Sequence, residues 1–400
     1  MYFVCGMTAL EKCTAFFVLV LCVLSASCSQ YRELWAQSEL EYCGWRIRTP
    51  ALMRSKNAIH VLGRCCGPNL CSSKPDACVG KPPNQHCKNV TNGTSRGILG
   101  DDNSLSRTVM KSSFDGGRSW TSFQVIGSHG PQDLGYACSH GLYDRVRERL
   151  VVQYHHFGTN STRPATKVST MQIISSDDGR TWSDAENITA AVQACSASAD
   201  DMMYLSAGSK IQTSSGRMLW PAHGFGGQAC VWYSDDGGAT YNVSNRFKGN
   251  EVSVAEVDSN GTILMDGRGT QYPWGAQYRT RYWSRDGGAS WGSAERSPLQ
   301  GDDGAGCERS LTSVSGVLYT AEPQGPQRSR MVLQCSKDGG QSWPASRNVN
   351  HNKSGAYSAL LGPVPYSKHS DNNSSGILMV WENNDDGNMY FGTIGTDWCL

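Results

Sequence analysis

Long helices, blocks of one charge and metal-ligand spacings are what this sequence lacks. No run of like charge and no low-complexity tract interrupts it, so nothing marks a charged tail or a flexible linker. Apolar residues seldom recur with the 3.6-residue period of a long amphipathic helix, and glycine is abundant at 44 residues; short strands and many turns fit that pattern. The formal net charge is +1, so nothing selects nucleic acid or another polyanion as a partner. The nine histidines contain no His-Glu-x-x-His, and no Cys-x-x-Cys is followed by a second such pair. The common zinc arrangements are therefore missing, and no cofactor is implied. The adjacent His155 and His156 are expected to be strand residues near a sheet edge. The apolar run Ala15–Leu24 is too short to span a bilayer comfortably, and no stable membrane insertion is expected.

That run reads instead as a secretory signal. Lys12 precedes it, the small residues Ser25-Ala26-Ser27 follow, and cleavage is expected near residue 28. Cysteine usage agrees with export: of sixteen cysteines, twelve lie beyond Cys28, an even number that implies disulfides. Five of them, Cys65, Cys66, Cys71, Cys78 and Cys87, crowd one proline-containing stretch, read as a cross-linked insertion at about 65–95. Asn-x-Ser/Thr sequons begin at Asn89, Asn92, Asn160, Asn187, Asn242, Asn260, Asn352, Asn372 and Asn373. They point to an N-glycosylated, secreted or lumenal protein. Extracellular and lysosome-like destinations are not separable from sequence, nor is the oligomeric state.

The feature that organises the chain is a repeat. Ser-x-Asp-x-Gly-x-x-Trp occurs from Ser113, Ser175, Ser284 and Ser336, and again from Ser234 with Tyr241 in the aromatic place. The starts are 62, 59, 50 and 52 residues apart. In each copy the carboxylate can bond nearby backbone N–H groups, while the glycine accepts a positive φ. Apolar or alternating runs such as Thr170–Ile174 and Arg330–Gln334 precede the turns, as strands do. Repeats of about fifty residues in an all-β chain indicate propeller blades. These turns are expected to be structural and remote from any chemistry.

The pattern matches the Asp box of sialidase-type propellers. From about residue 44 to 395 the chain resembles the exo-α-sialidase (neuraminidase) family of the Asp-box, or BNR repeat, superfamily. Ile47-Arg48-Thr49-Pro50 resembles the family's first-strand arginine motif, with Arg46 as a competitor on the same face. Gly63-Arg64 occupies the place of a pocket arginine, with Arg96 as its alternative. Asp102-Asn-Ser-Leu resembles the segment carrying the acid/base aspartate, with Asp101 adjacent. Ser206–Gly208 and Gly216–Ala222 resemble a strand pair that supports the fold. Glu251-Val-Ser-Val-Ala-Glu256, followed by a strand ending at Arg268, resembles the segment of the general base and second arginine, although Asp266 replaces the usual Asn. Arg328, or Arg330 two residues on along the same strand face, fits the third arginine. Tyr357-Ser-Ala-Leu resembles the nucleophile motif, and Glu382, ending a run that resembles the closing strand, matches a family carboxylate that orients the first arginine.

The resemblance implies a six-bladed β-propeller over residues 29–400. It implies hydrolysis of terminal sialic acid from glycoconjugates, with retention, through a tyrosyl intermediate. Asp102, Glu251 and Tyr357 would be catalytic; Arg48, Arg64, Arg268, Arg328 and Glu382 would hold substrate. Sialylated glycoconjugates are the expected partners. A non-catalytic sialoglycan-binding propeller and a trans-sialidase are the alternatives.

Overall fold

The computed structural model describes residues 31–43, 47–65, 107–127, 140–157, 168–196, 203–224, 227–268, 278–300, 307–350, 354–362 and 376–399. The signal segment, the insertion beyond Cys65, and Arg46, Arg96, Asp101 and Asp102 lie outside these residues. The described strands form six antiparallel sheets. The innermost strands are Ile47–Arg54, His140–Asp144, Met203–Leu205 with Ile211–Gln212, Asn250–Glu256, Ser310–Val314 and Ser358–Leu361. Each touches the next, and the sixth touches the first, so the sheets close into a six-bladed β-propeller. The sixth blade takes its outer strand from the chain's other end: Tyr31–Glu33 pairs with Met389–Ile394.

The reason the strands read as apolar runs is that a blade is covered on both faces. Val151 packs toward blade three, whereas its neighbours Leu150 and Val152 pack toward blade one. Period-two alternation thus sends apolar side chains to two different layers. The core is accordingly divided into six clusters, one between each pair of consecutive blades.

The five boxes follow the third strands of blades one to five and share one hydrogen-bond scheme. In blade three, Ser234 Oγ donates to Asp236 Oδ1 at 2.8 Å and accepts the Gly238 N–H at 2.7 Å. Asp236 also accepts the Thr240 N–H and hydroxyl. Gly238 has φ +95°, and a Cβ there would meet Tyr241 and, in blade two, Gln172. Glycine is needed for both its dihedral and its closeness to the preceding blade.

Three disulfides are present among the described residues: Cys43–Cys65, Cys195–Cys230 and Cys335–Cys399. Cys65 therefore ends a blade-one strand and bonds outside the insertion to which the sequence assigned it. His155 also departs from expectation. It sits on the second strand of blade two, 1% exposed, where its Nε2 accepts the Leu205 N–H at 2.7 Å. It is an interior link between blades two and three, not an edge residue. The sequon asparagines Asn187, Asn242 and Asn260 are exposed. Among the described residues, no helix is long and apolar enough to cross a membrane.

Candidate active site

Inner strands begin on one face of the propeller and second strands end there, so that face collects the candidate residues. Arg48 stands near the start of Ile47–Arg54, and Glu251 near the start of Asn250–Glu256. Tyr357 directly precedes Ser358–Leu361. Arg268 and Glu382 end the second strands Ile263–Arg268 and Ile377–Glu382. The boxes end third strands and therefore lie on the opposite face, as expected of structural turns.

The central contact joins two blades. Tyr357 Oη donates to Glu251 Oε1 at 2.5 Å, and Arg268 Nη1 donates to Glu251 Oε2 at 2.6 Å. Burial pushes the Glu251 carboxyl up, but Arg268, His223 and the tyrosine hydroxyl more than offset it and hold the group below its ordinary value. Burial drives the Tyr357 phenol well above 10, with Glu251 adding to the shift while Arg268 and Arg48 oppose it. The pair is thus a protonated phenol hydrogen-bonded to a carboxylate, the arrangement in which a base can take a proton as the oxygen attacks. The Arg48 guanidinium carbon lies 5.5 Å from the centre of the Tyr357 ring.

Glu382 ties this group to the first blade. Its carboxylate accepts Arg48 Nε at 3.4 Å and also the Thr49 N–H. Its backbone exchanges hydrogen bonds with Tyr357 and Ala356, at 2.9 and 3.1 Å. Arg64 is the cross-strand partner of Arg48, so the two share a sheet face, and it is only 2% exposed.

Arg328 is not on a strand, as the spacing suggested. It ends the 3₁₀ turn Pro326–Arg328, and its carbonyl accepts the Gly355 N–H at 2.9 Å. Arg330 begins the following strand and is exposed. Both Arg328 and Arg268 act on the buried Cys307 thiol, lowering its proton affinity, although burial still pushes it up to about 12. Of the two candidates, Arg328 is the one whose charge reaches this thiol.

The backbone is strained where these side chains emerge. Among the described non-glycine residues, positive φ occurs at six, and three are Thr49, Glu251 and Arg328. Thr49 and Glu251 each lie where the register of an inner strand shifts by a bulge. Bulges re-aim side chains and cluster at functional sites.

Sequence reasoning missed the layer beneath. Asp266, Arg279, Arg309 and Glu322 form a buried ion network between blades four and five, with Arg279 Nε 2.5 Å from Asp266 Oδ1. Arg279 also donates to the Cys307 carbonyl at 2.8 Å. Charged residues inside otherwise apolar strands were the signal available. A separate cavity of about 280 Å³ lies along the axis, lined by later parts of the inner strands, including Arg54, Tyr143, Gln212 and Glu256. It includes none of Arg48, Glu251, Arg268 or Tyr357.

The fold and repeats define the class: a sialidase-type propeller built from Asp-box blades. The chain belongs to the BNR repeat-like domain family, whose profile matches residues 96–362. None of the curated proteins matches it. Among solved structures it is similar to a Hadza microbial sialidase, at TM-score 0.66 and 18% identity over 88% of this chain and 66% of that one. It is similar to Trypanosoma rangeli sialidase in complex with 2,3-difluorosialic acid, a covalent intermediate, at TM-score 0.59 and 17% identity over 87% and 53%. It is also similar to the intramolecular trans-sialidase from Ruminococcus gnavus, at TM-score 0.60 and 13% identity over 88% and 94%. The chain spans less than two thirds of the length of the first two. At these identities the likeness is one of fold.

Proposed function

We propose that this protein is an exo-α-sialidase that hydrolyses terminal sialic acid from glycoconjugates with retention of configuration. The observation that carries the reading is the short Tyr357–Glu251 bond backed by Arg268. Sialic acid bears its carboxylate on the anomeric carbon. A carboxylate nucleophile would be repelled there, whereas a phenol is neutral until its proton leaves; sialidases with a tyrosine nucleophile are a known exception to the two-carboxylate scheme. In the first displacement, Glu251 takes the Tyr357 proton and the phenolic oxygen bonds to the anomeric carbon. The glycosidic bond breaks as Asp102 protonates the departing oxygen. In the second, water attacks the same carbon, Asp102 takes its proton, and the tyrosine oxygen leaves and recovers its proton from Glu251.

Arg48, Arg268 and Arg328 would grip the substrate carboxylate through planar, charge-assisted bonds. Glu382 would fix Arg48, and Arg64 would flank it. The cysteine usage and sequons support a secreted or lumenal setting. Treatment with 2,3-difluorosialic acid followed by peptide mass mapping tests the mechanism. The expected result is a sialosyl adduct on Tyr357; turnover with an adduct elsewhere would overturn the assignment. Including lactose as acceptor separates hydrolysis, which gives free sialic acid, from transfer, which gives sialyllactose.

A further inference from the structure

Tyr357 belongs to blade six, whereas Glu251 and Arg268 belong to blade four. Blade five stands between them, and besides their direct bond its short segment Cys307–Leu311 links the two. Ser253, two residues beyond Glu251, donates its hydroxyl to the Arg309 carbonyl. On the other side, Ser310 Oγ lies 2.8 Å from Ser358 Oγ, and the Ser358 N–H donates to Glu308 Oε2 at 3.1 Å. Arg279 pins the start of the segment through the Cys307 carbonyl. Glu308 is fully buried, and its Oε1 has no hydrogen-bond partner among the described residues. A carboxyl in such a place, holding the amide next to Tyr357, has no role in the reaction already proposed.

We propose that Glu308 is a positioning residue for Tyr357 and Glu251, and that its ionisation weakens the site further at alkaline pH. This rests on the sialidase reading above. The geometric half follows from the Ser358 amide bond, which fixes the backbone from which Tyr357 projects. Misplacing a reacting group by even about an ångström costs up to about a hundredfold in rate. The titration half follows from the surroundings. Burial pushes the Glu308 carboxyl up to about 8, and Glu251 adds to the shift; the Ser358 amide, Lys210 and Arg279 oppose it. Cys307 and Arg309 flank it in the chain and feel its charge. Asp266 and Glu322 stand behind Arg279. The raised value favours the uncharged carboxyl at neutral pH. Above its titration a second negative charge appears near Glu251, and the phenol of Tyr357 becomes harder to ionise. Among the groups named here, the thiol and phenol titrate higher.

The experiment compares wild type, Glu308→Gln and Glu308→Asp across pH 5–10, with circular dichroism to check folding. Glutamine keeps an acceptor for the Ser358 amide but cannot ionise. Above about pH 8 the wild type should therefore lose activity more steeply than this variant, which retains only the limb that Asp102 imposes on both proteins. Aspartate keeps an ionisable carboxyl but falls short of the amide, so kcat should drop about tenfold with KM little changed. Superimposable limbs for wild type and Glu308→Gln would overturn the proposal.

Thermal melts give a readout that needs no turnover. The folded value lies above the ordinary 4.5, so the stability due to the Glu308 proton is complete below about 4.5 and is lost as pH rises through about 8. Wild type should therefore melt progressively lower relative to Glu308→Gln over that window. A constant difference would contradict the titration. Diverging melts in a protein that releases no sialic acid would instead place the failure with the sialidase reading.

Discussion

At the residue scale, the account depends on what each side chain can do that its nearest substitute cannot. Arg268 donates to Glu251 and is one of the three arginines proposed to grip the substrate carboxylate. Lysine would retain the charge but lose the planar fork. Arg268→Lys should raise KM for a sialoside by about tenfold or more, read from initial rates, whereas an unchanged KM would remove it from the carboxylate grip. The residues that met in space, Arg48, Glu251, Arg268, Tyr357 and Glu382, were legible because each sits in a short motif with fixed neighbours. The spacing put Arg328 on a strand, whereas the chain forms a 3₁₀ turn there. The pairings of Glu308 and of the ion network around Arg279 were not legible because the partners come from neighbouring blades, and no local period records such a contact.

At the element scale, the box hairpins were readable because five copies repeat one chemistry at near-regular intervals. The bulges at Thr49 and Glu251 were not. Neither residue is glycine, so nothing local announces a positive φ; the surrounding sheets impose it. The boxes also make a separable prediction. Ser234 is fully buried and accepts the Gly238 N–H. Ser234→Ala leaves that donor unsatisfied and should cost about 1–3 kcal/mol in denaturant unfolding. Because the boxes lie on the face opposite Tyr357, kcat and KM should stay near wild type at a temperature where the variant is folded. A variant as stable as wild type, or one folded but inactive, would contradict this division of labour between the two faces.

At the scale of the whole molecule, the ring is closed by Tyr31–Glu33 and pinned by a disulfide near the other end of the chain. Tyr31 packs edge-on against Trp381 with ring centres 4.7 Å apart, and Arg32 Nη1 donates to the Arg118 carbonyl at 2.7 Å. Deleting residues 31–33 should expose the edge of Met389–Ile394, lower the melting temperature and promote association. Light scattering and a thermal melt would show it, and profiles unchanged from wild type would speak against closure by this strand. Cys335–Cys399 closes a loop of 64 residues, and its reduction should cost about 4 kcal/mol on chain-entropy grounds. Closure matters for chemistry because Arg48, Glu251 and Tyr357 come from blades one, four and six. Their meeting at the axis requires all six blades in register.

This meeting is proposed to form a tyrosine nucleophile with its base. Fluorophore release from a 4-methylumbelliferyl α-sialoside, by wild type and by Tyr357→Phe in parallel, tests it most directly. The account predicts release by the wild type and a loss of about a thousandfold or more in the folded variant. Near-normal turnover by Tyr357→Phe, or no release by folded wild type, would contradict it.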